Sequence, residues 1–223
     1  MNRRTLMKGS ITLGAGAVLS AQLASCSPPP AQRPTTSPGV VEASTGPAPS
    51  KMLVAYFSRA GENYYYGDRI NLEVGNTEVV ANIIASTVSA DVYRINAADP
   101  YPVGYDATVE RNVREQDDDA RPAIADPLPI LKSYDTVLLG SPIWNVRPPM
   151  IMRTFIDSVD LRGKTILPFV TYAVSGMGNT IDDYTRLCPQ SRIGEGLAVR
   201  GEEARGAHAA VQDWLKRTGL LAF

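Results

Sequence analysis

Thr136-Val137-Leu138-Leu139-Gly140-Ser141-Pro142-Ile143-Trp144-Asn145 is the stretch on which the reading of this chain turns. Residues 136–141 form a short apolar run that ends in small residues, the pattern of a central strand buried on both faces. The run passes directly into a tight loop that carries Trp144. An indole on such a loop is costly to leave in water, so it either packs in the core or covers a flat ligand.

Outward from this strand the same alternation repeats. Residues 52–58, 91–96 and 165–174 read as further strands, and 193–199 as a weaker fifth strand broken by Gly194 and Gly196. Between them lie helical patterns at 77–89, 105–116, 149–159 and 180–187, with a closing helix at 202–218. In the first helix Val79, Val80, Ile83, Ile84 and Val88 fall at helical spacing, and Thr77 is placed to cap its start. The closing helix begins with acidic residues and ends with Lys216-Arg217, which matches the helix dipole. Five strand–helix pairs in succession predict an α/β fold, a parallel sheet with helices on both faces. In such sheets ligands bind beyond the carboxyl ends of the strands, so the loops after strands one, three and four carry the chemistry.

The loop after strand one contains Ser58-Arg59-Ala60-Gly61, then residues 61–74 with Tyr64-Tyr65-Tyr66, then Gly75-Asn76-Thr77 opening the helix. Hydroxyls, an Asn side chain and unpaired amides at a helix start make an anion site. The loop has no Lys of the kind that binds nucleoside triphosphates, which points to a phosphate monoester. The loop after strand four, Thr171-Tyr172-Ala173-Val174-Ser175-Gly176-Met177-Gly178-Asn179, is rich in small residues that let backbone amides approach a ligand. Together the loops specify a phosphate at one end and a flat ring beside Trp144 at the other.

On these motifs the segment from Lys51 to Leu220 resembles the flavodoxin family, in particular its lipoproteins and small flavoproteins with a Ser-Arg-x-Gly…Gly-Asn-Thr loop. The resemblance implies a flavodoxin-like, three-layer, doubly wound, five-stranded parallel sheet of strand order 2-1-3-4-5 that binds FMN without covalent attachment. Carried over by motif, Ser58, Arg59, Asn76 and Thr77 would hold the phosphate. Pro142, Ile143, Trp144 and Asn145 would flank the isoalloxazine, while Thr171, Ser175, Gly176 and Gly178 would line its other side and pyrimidine edge. The chain departs from the family pattern where residues 61–74 interrupt the phosphate loop, as a surface hairpin, a lid or a partner surface. Ala60 also stands where a phosphate-binding Thr is common.

The N-terminal segment has a different character. Arg3, Arg4 and Lys8 precede a weakly apolar run at 10–24, and Leu23-Ala24-Ser25-Cys26 has the form of a lipobox. Residues 1–26 resemble a twin-arginine export signal ending at a lipidated Cys26. Residues 27–50 hold seven prolines among small polar residues and read as a tether that cannot bury enough surface to order itself. The folded domain is expected at 51–223, held at the extracytoplasmic face of a membrane, facing the periplasm or the cell exterior.

Composition narrows the function. With 44% hydrophobic residues in 223, the chain can build one domain with a full core. Two cysteines exclude a disulfide scaffold, and a single His argues against a His/Cys metal cluster. Residues 1–50 hold four of the 22 basic and one of the 23 acidic residues, so 51–223 carries 18 against 22 and a net charge of −4. No nucleic-acid partner is expected. Cys188 has no pairing partner if Cys26 carries lipid, and reads as a small core residue at a helix end. The sequence contains no obligatory catalytic base. The expected activity is electron transfer to a redox-protein partner. The alternative is an NAD(P)H-dependent reductase of a small quinone-like acceptor, and a third possibility is a binding lipoprotein that has lost FMN. Asp117-Asp118-Asp119 is either a steering patch for a basic partner or a solvated face, and homodimerisation across the 61–74 insertion is a further expectation.

Overall fold

The computed structural model describes residues 51–222, so the signal-like segment, Cys26 and the tether lie outside the described residues. Strands β1 (Met52–Tyr56), β4 (Asp91–Arg94), β5 (Thr136–Pro142) and β6 (Thr165–Tyr172) are parallel neighbours in the order β4-β1-β5-β6. The fifth position is filled by two short strands, β7 (Arg192–Ile193) and β8 (Leu197–Arg200), both parallel to β6. This is the expected doubly wound order, with the fifth strand broken where Gly194 and Gly196 stand. A Cβ on Gly194 would come within 2.5 Å of the Leu167 side chain, so the break lies where the backbone packs too closely on β6 for any side chain.

The alternation of side chains along β1 builds two cores. Leu53, Ala55 and Phe57 face one side with Val137 and Leu139, and pack on α3 (Met150–Ser158) through Ile151, Met152 and Phe155 and on α4 (Thr180–Leu187) through Tyr184. Val54 and Tyr56 face the other with Leu138, Leu167 and Phe169, against Val80 and Ile84 of α1 (Asn76–Val88) and Val211, Trp214 and Leu215 of α5 (His208–Arg217). Covering both faces is why Val137, Leu138 and Leu139 of β5 are apolar in succession instead of alternating. A fully buried Leu or Val of this kind contributes about 1.5–3 kcal/mol. Helix α2 (Tyr105–Asp117) docks differently, burying Thr108, Asn112 and Glu115.

Two local expectations are corrected. The closing helix does not run unbroken from 202: residues Gly201–Gly206 form a 3₁₀ turn, and α5 begins at His208. Glycine at both ends of that turn weakens helix there, and Gly201 sits so near α1 that a Cβ would lie 2.6 Å from Asn76 Nδ2. Thr77 does not cap α1, because its hydroxyl is engaged by Thr171 at 2.7 Å and Ser58 Oγ takes the Glu78 N–H instead, at 3.1 Å. Within the acidic run at 117–119, Asp119 pairs with both Arg121 and Arg153, which holds its carboxyl below the usual range.

The insertion is a hairpin, β2 (Gly61–Tyr65) and β3 (Asp68–Leu72), turned by Tyr66 and Gly67, both at positive φ as a two-residue turn of this hand requires.

Candidate functional site

At the carboxyl ends of β1, β5 and β6 lies a cleft of about 580 Å³, its open mouth included. One end is polar. Ser58 and Arg59 follow β1, and Asn76 and Thr77 open α1, whose first amides have no intrahelical acceptor. Ser58 Oγ accepts the Glu78 N–H, which leaves its own hydrogen to donate. Gly75 makes this corner possible. A Cβ there would fall 2.3 Å from Ser58 Oγ and 2.5 Å from the Arg59 carbonyl oxygen.

Arg59 is placed unlike a simple phosphate ligand. Its Nη1 donates to the Pro102 and Val103 carbonyls at 3.0 and 2.9 Å, and Nη2 donates to the Glu62 carbonyl. The guanidinium therefore pins the hairpin and the loop before α2 to the end of β1. Burial pushes its pKa below the ordinary Arg value, opposed by the nearby Glu62 carboxylate. Only Nε, buried, has no partner.

The other end is apolar and aromatic. Pro142 lines it from the end of β5, Ile143 and Trp144 from the loop that follows, and Thr171 from the end of β6. Trp144 does both things that its position suggested. It is half-buried, meets Phe57 and Tyr101 edge-on with centroids 5.6 and 5.1 Å away, and also lines the cleft. Tyr101 is in turn held by Glu115 at 2.7 Å and covered by Arg111, 4.1 Å above its ring. Burial and the Glu115 bond push the Tyr101 phenol far above its usual pKa.

The loop after Trp144 is strained. Asn145 and Val146 both have positive φ, 48° and 61°, and a β-branched residue there costs about 1–2 kcal/mol. The geometry persists because Asn145 Nδ2 bonds Gln116 Oε1 at 2.9 Å and the Val146 carbonyl accepts the Asn179 N–H at 2.7 Å. Gly178 belongs to that same contact, since a Cβ on it would meet the Val146 carbonyl oxygen at 2.3 Å.

Eight of the sequence-derived positions thus share one cleft: Ser58, Arg59, Asn76, Thr77, Pro142, Ile143, Trp144 and Thr171. Asn145, Ser175, Gly176 and Gly178 stand outside its lining. The structure adds Asn63 and Tyr64 from β2, Tyr105 from α2, Tyr172 and Ala173 after Thr171, and Gly201 and Glu202 from the 3₁₀ turn. Tyr64 was visible as part of the tyrosine run, and Tyr172 and Ala173 as part of the loop. Nothing local marked Glu202, which enters the cleft only because β8 ends beside β6.

The hairpin covers the polar end. Glu62 exchanges bonds with the loop before α2, its N–H to the Val103 carbonyl at 2.8 Å and its Oε2 accepting the Tyr105 N–H at 2.8 Å. Arg69 forks onto Asp106 at 2.8 and 2.6 Å and lies 4.6 Å over the Tyr105 ring. The insertion is therefore a hairpin and also a wall of the cleft.

Residues 51–218 match the family model described as flavodoxin. Among solved structures, the chain is similar to a candidate flavoprotein from Bacteroides eggerthii, with 31% identity, 76% of this chain and 98% of that one covered, and a TM-score of 0.62. A second candidate flavoprotein, from Bacteroides uniformis, shares 30% identity over 75% of this chain and 98% of that one, with a TM-score of 0.60. A flavoprotein from Lactobacillus acidophilus in complex with FMN has the same fold at 16% identity, covering 67% of this chain and 93% of that one, with a TM-score of 0.52. No curated protein matches the sequence.

Proposed function

This chain belongs to the flavodoxin family, and from that premise we propose that the cleft binds FMN and that the protein transfers electrons at a membrane surface. The observation that carries the reading is the pairing of a polar corner with spare donors and an apolar wall centred on Trp144. The residues fit the group. Arg59 Nε is a buried donor without a partner, Ser58 has a hydroxyl hydrogen to give, and the Asn76 and Thr77 amides at the start of α1 face no intrahelical acceptor. These groups, with Asn76, would hold the phosphate; Pro142, Ile143 and Trp144 would flank the ring. FMN, when bound, takes up and returns electrons with its own chemistry. The chain's part is to orient the ring, exclude water from one side of it and hold the phosphate.

Anchoring is part of the proposal. Arg3-Arg4 and the lipobox-like Leu23-Ala24-Ser25-Cys26 support export and lipidation at Cys26, and residues 27–50 have the composition of a flexible tether. A twin-arginine route passes folded proteins, which suits loading of a cofactor before export. A partner redox protein outside the cytoplasm would then be the electron donor or acceptor.

The visible absorption spectrum of the purified protein, before and after addition of FMN with FAD as control, tests the cofactor. A flavin spectrum with FMN identified after release supports the reading, and a colourless protein that ignores added FMN overturns it. Oxidation of NADPH with a quinone acceptor would shift the assignment to a reductase. In cells, Cys26→Ala is expected to move the protein from the membrane to the soluble fraction. Retention of that variant at the membrane would remove the lipid anchor from the proposal.

A further inference from the structure

Trp144 opens a two-residue turn that its own sequence disfavours. The Trp144 N–H donates to the Arg147 carbonyl at 2.9 Å and the Arg147 N–H returns to the Trp144 carbonyl at 3.3 Å, so Asn145 and Val146 are the central residues. Both have positive φ, the class of turn that favours Asn-Gly. Asparagine tolerates that conformation, whereas a β-branched valine does not. The turn is therefore held from outside. The Asn179 N–H braces its far side at the Val146 carbonyl, 2.7 Å away.

Next to the indole, one side chain grips the turn at two points. Gln116, in the last turn of α2, donates from Nε2 to the Trp144 carbonyl at 3.1 Å, and its Oε1 accepts Asn145 Nδ2 at 2.9 Å. Its Nε2 also donates to Oδ1 of the buried Asn112 at 3.3 Å, which orients the amide. A carbonyl only accepts, so the Trp144 carbonyl dictates which way round the Gln116 amide sits. Gln116 itself does not line the cleft, whereas Trp144 does. Phe57 and Tyr101 meet the indole edge-on and limit its tilt, but they do not hold the backbone that carries it.

We propose that Gln116 is the positioning residue for the ring end of the cleft. By clamping the Trp144 carbonyl and the Asn145 side chain together, it keeps a turn that would otherwise relax in the conformation that presents the indole to the ligand. It acts through Trp144 and touches no ligand. This role rests on the reading of the cleft as an FMN site for what the indole meets, and on the turn geometry alone for why a clamp is needed. The need should disappear once residue 146 no longer resists positive φ.

The test compares the purified parent protein with Gln116→Ala, Val146→Gly and the double variant. Alanine suits a helix, so α2 should persist, and glycine at 146 completes the favoured Asn-Gly pair. In the ligand-free proteins, acrylamide quenching of tryptophan fluorescence reads Trp144, because the other tryptophan, Trp214, is fully buried. Gln116→Ala is expected to raise that quenching. In fluorescence titration it is expected to weaken FMN and lumiflavin, the ring without the phosphate chain, alike by about tenfold, the scale of two lost neutral hydrogen bonds. The double variant is expected to return the quenching toward the parent value and both affinities to within about threefold of the parent, since glycine takes positive φ without strain. A role for Gln116 merely as partner of Asn112 would not be rescued by a glycine in the turn. A double variant no better than Gln116→Ala therefore overturns the inference. Weakened FMN with unchanged lumiflavin would put the effect at the polar end, and overturns it too. If the parent protein bound neither flavin, the reading of the cleft would fall, while the quenching series would still decide the clamp: recovery in the double variant supports it, and no recovery overturns it.

Discussion

Thr77 Oγ1 and Thr171 Oγ1 lie 2.7 Å apart in the floor of the cleft, joining the first turn of α1 to the end of β6. Both residues are buried, at 1% and 4% exposure, so each hydroxyl depends on the other. The bond fixes the spacing between the polar corner and the loop after β6, the two parts of the cleft that must fit one ligand.

Replacing either threonine by valine leaves the other hydroxyl buried and unpaired. Thr77→Val or Thr171→Val is expected to cost about 1–3 kcal/mol of stability. The double substitution is expected to cost less than the sum of the two, because no orphan remains. Urea unfolding of the four proteins measures the coupling, and strict additivity would show that the bond has no energetic weight.

Trp144 has two duties, and its removal should affect both. Trp144→Ala is expected to weaken FMN binding about tenfold or more, on the scale of aromatic stacking against a heterocycle. The fold should survive with a loss of about 1–3 kcal/mol, below the 3–5 typical of a fully buried aromatic, because the indole is only half-buried. Fluorescence titration and thermal unfolding read the two effects separately. Unchanged FMN affinity would sink the flanking role.

Gly75 is needed for space and not for backbone freedom, since its φ is −67°. In Gly75→Ala the new methyl must displace Ser58 Oγ and the Arg59 carbonyl. Stability is expected to fall by about 1–3 kcal/mol. FMN affinity should fall more than riboflavin affinity, because the displaced groups belong to the phosphate corner. Equal loss for both flavins would place the phosphate elsewhere.

Cys188 bears on alkaline stability. Burial pushes its thiol up to about 11 from an ordinary value of 9.0, with Asp157 adding to the shift. Because the folded-state pKa is raised, the contribution is complete below the unfolded value near 9 and is lost as pH rises toward about 11. Tyr184, raised by burial, adds to the same trend. Thermal unfolding from pH 8 to 11 should show a falling midpoint, and Cys188→Ala should flatten part of that fall. A thiol reagent at pH 8 should label the native protein far more slowly than the unfolded chain; equal rates would contradict the burial argument.

Much of the architecture was legible because it rests on short-range patterns. The apolar runs at β1, β5 and β6 and the helical spacing of Val80 and Ile84 in α1 are local, and they correspond to the observed elements. The break in the fifth strand was visible at Gly194 and Gly196 for the same reason. The interruption of the closing helix was not foreseen, although Gly206 lies within it. Its acidic start and basic end suggested continuity, while the close packing of Gly201 on Asn76 decided otherwise.

The sequence by itself determined which segments form the sheet, which loops leave its carboxyl edge and which side chains those loops carry. Only the tertiary structure decided what each of those side chains meets. Arg59 reads as an anion ligand, but in the fold its fork is taken by the Pro102, Val103 and Glu62 carbonyls. Thr77 reads as a cap, yet its partner lies 94 residues away. Glu202 carries no local signal at all and reaches the cleft because β8 pairs with the end of β6. Hydrophobic periodicity is a property of neighbouring residues, and it survives being read along the chain. A polar side chain chooses among partners that only strand order and register bring within hydrogen-bond reach, so its role is settled by packing between segments distant in sequence.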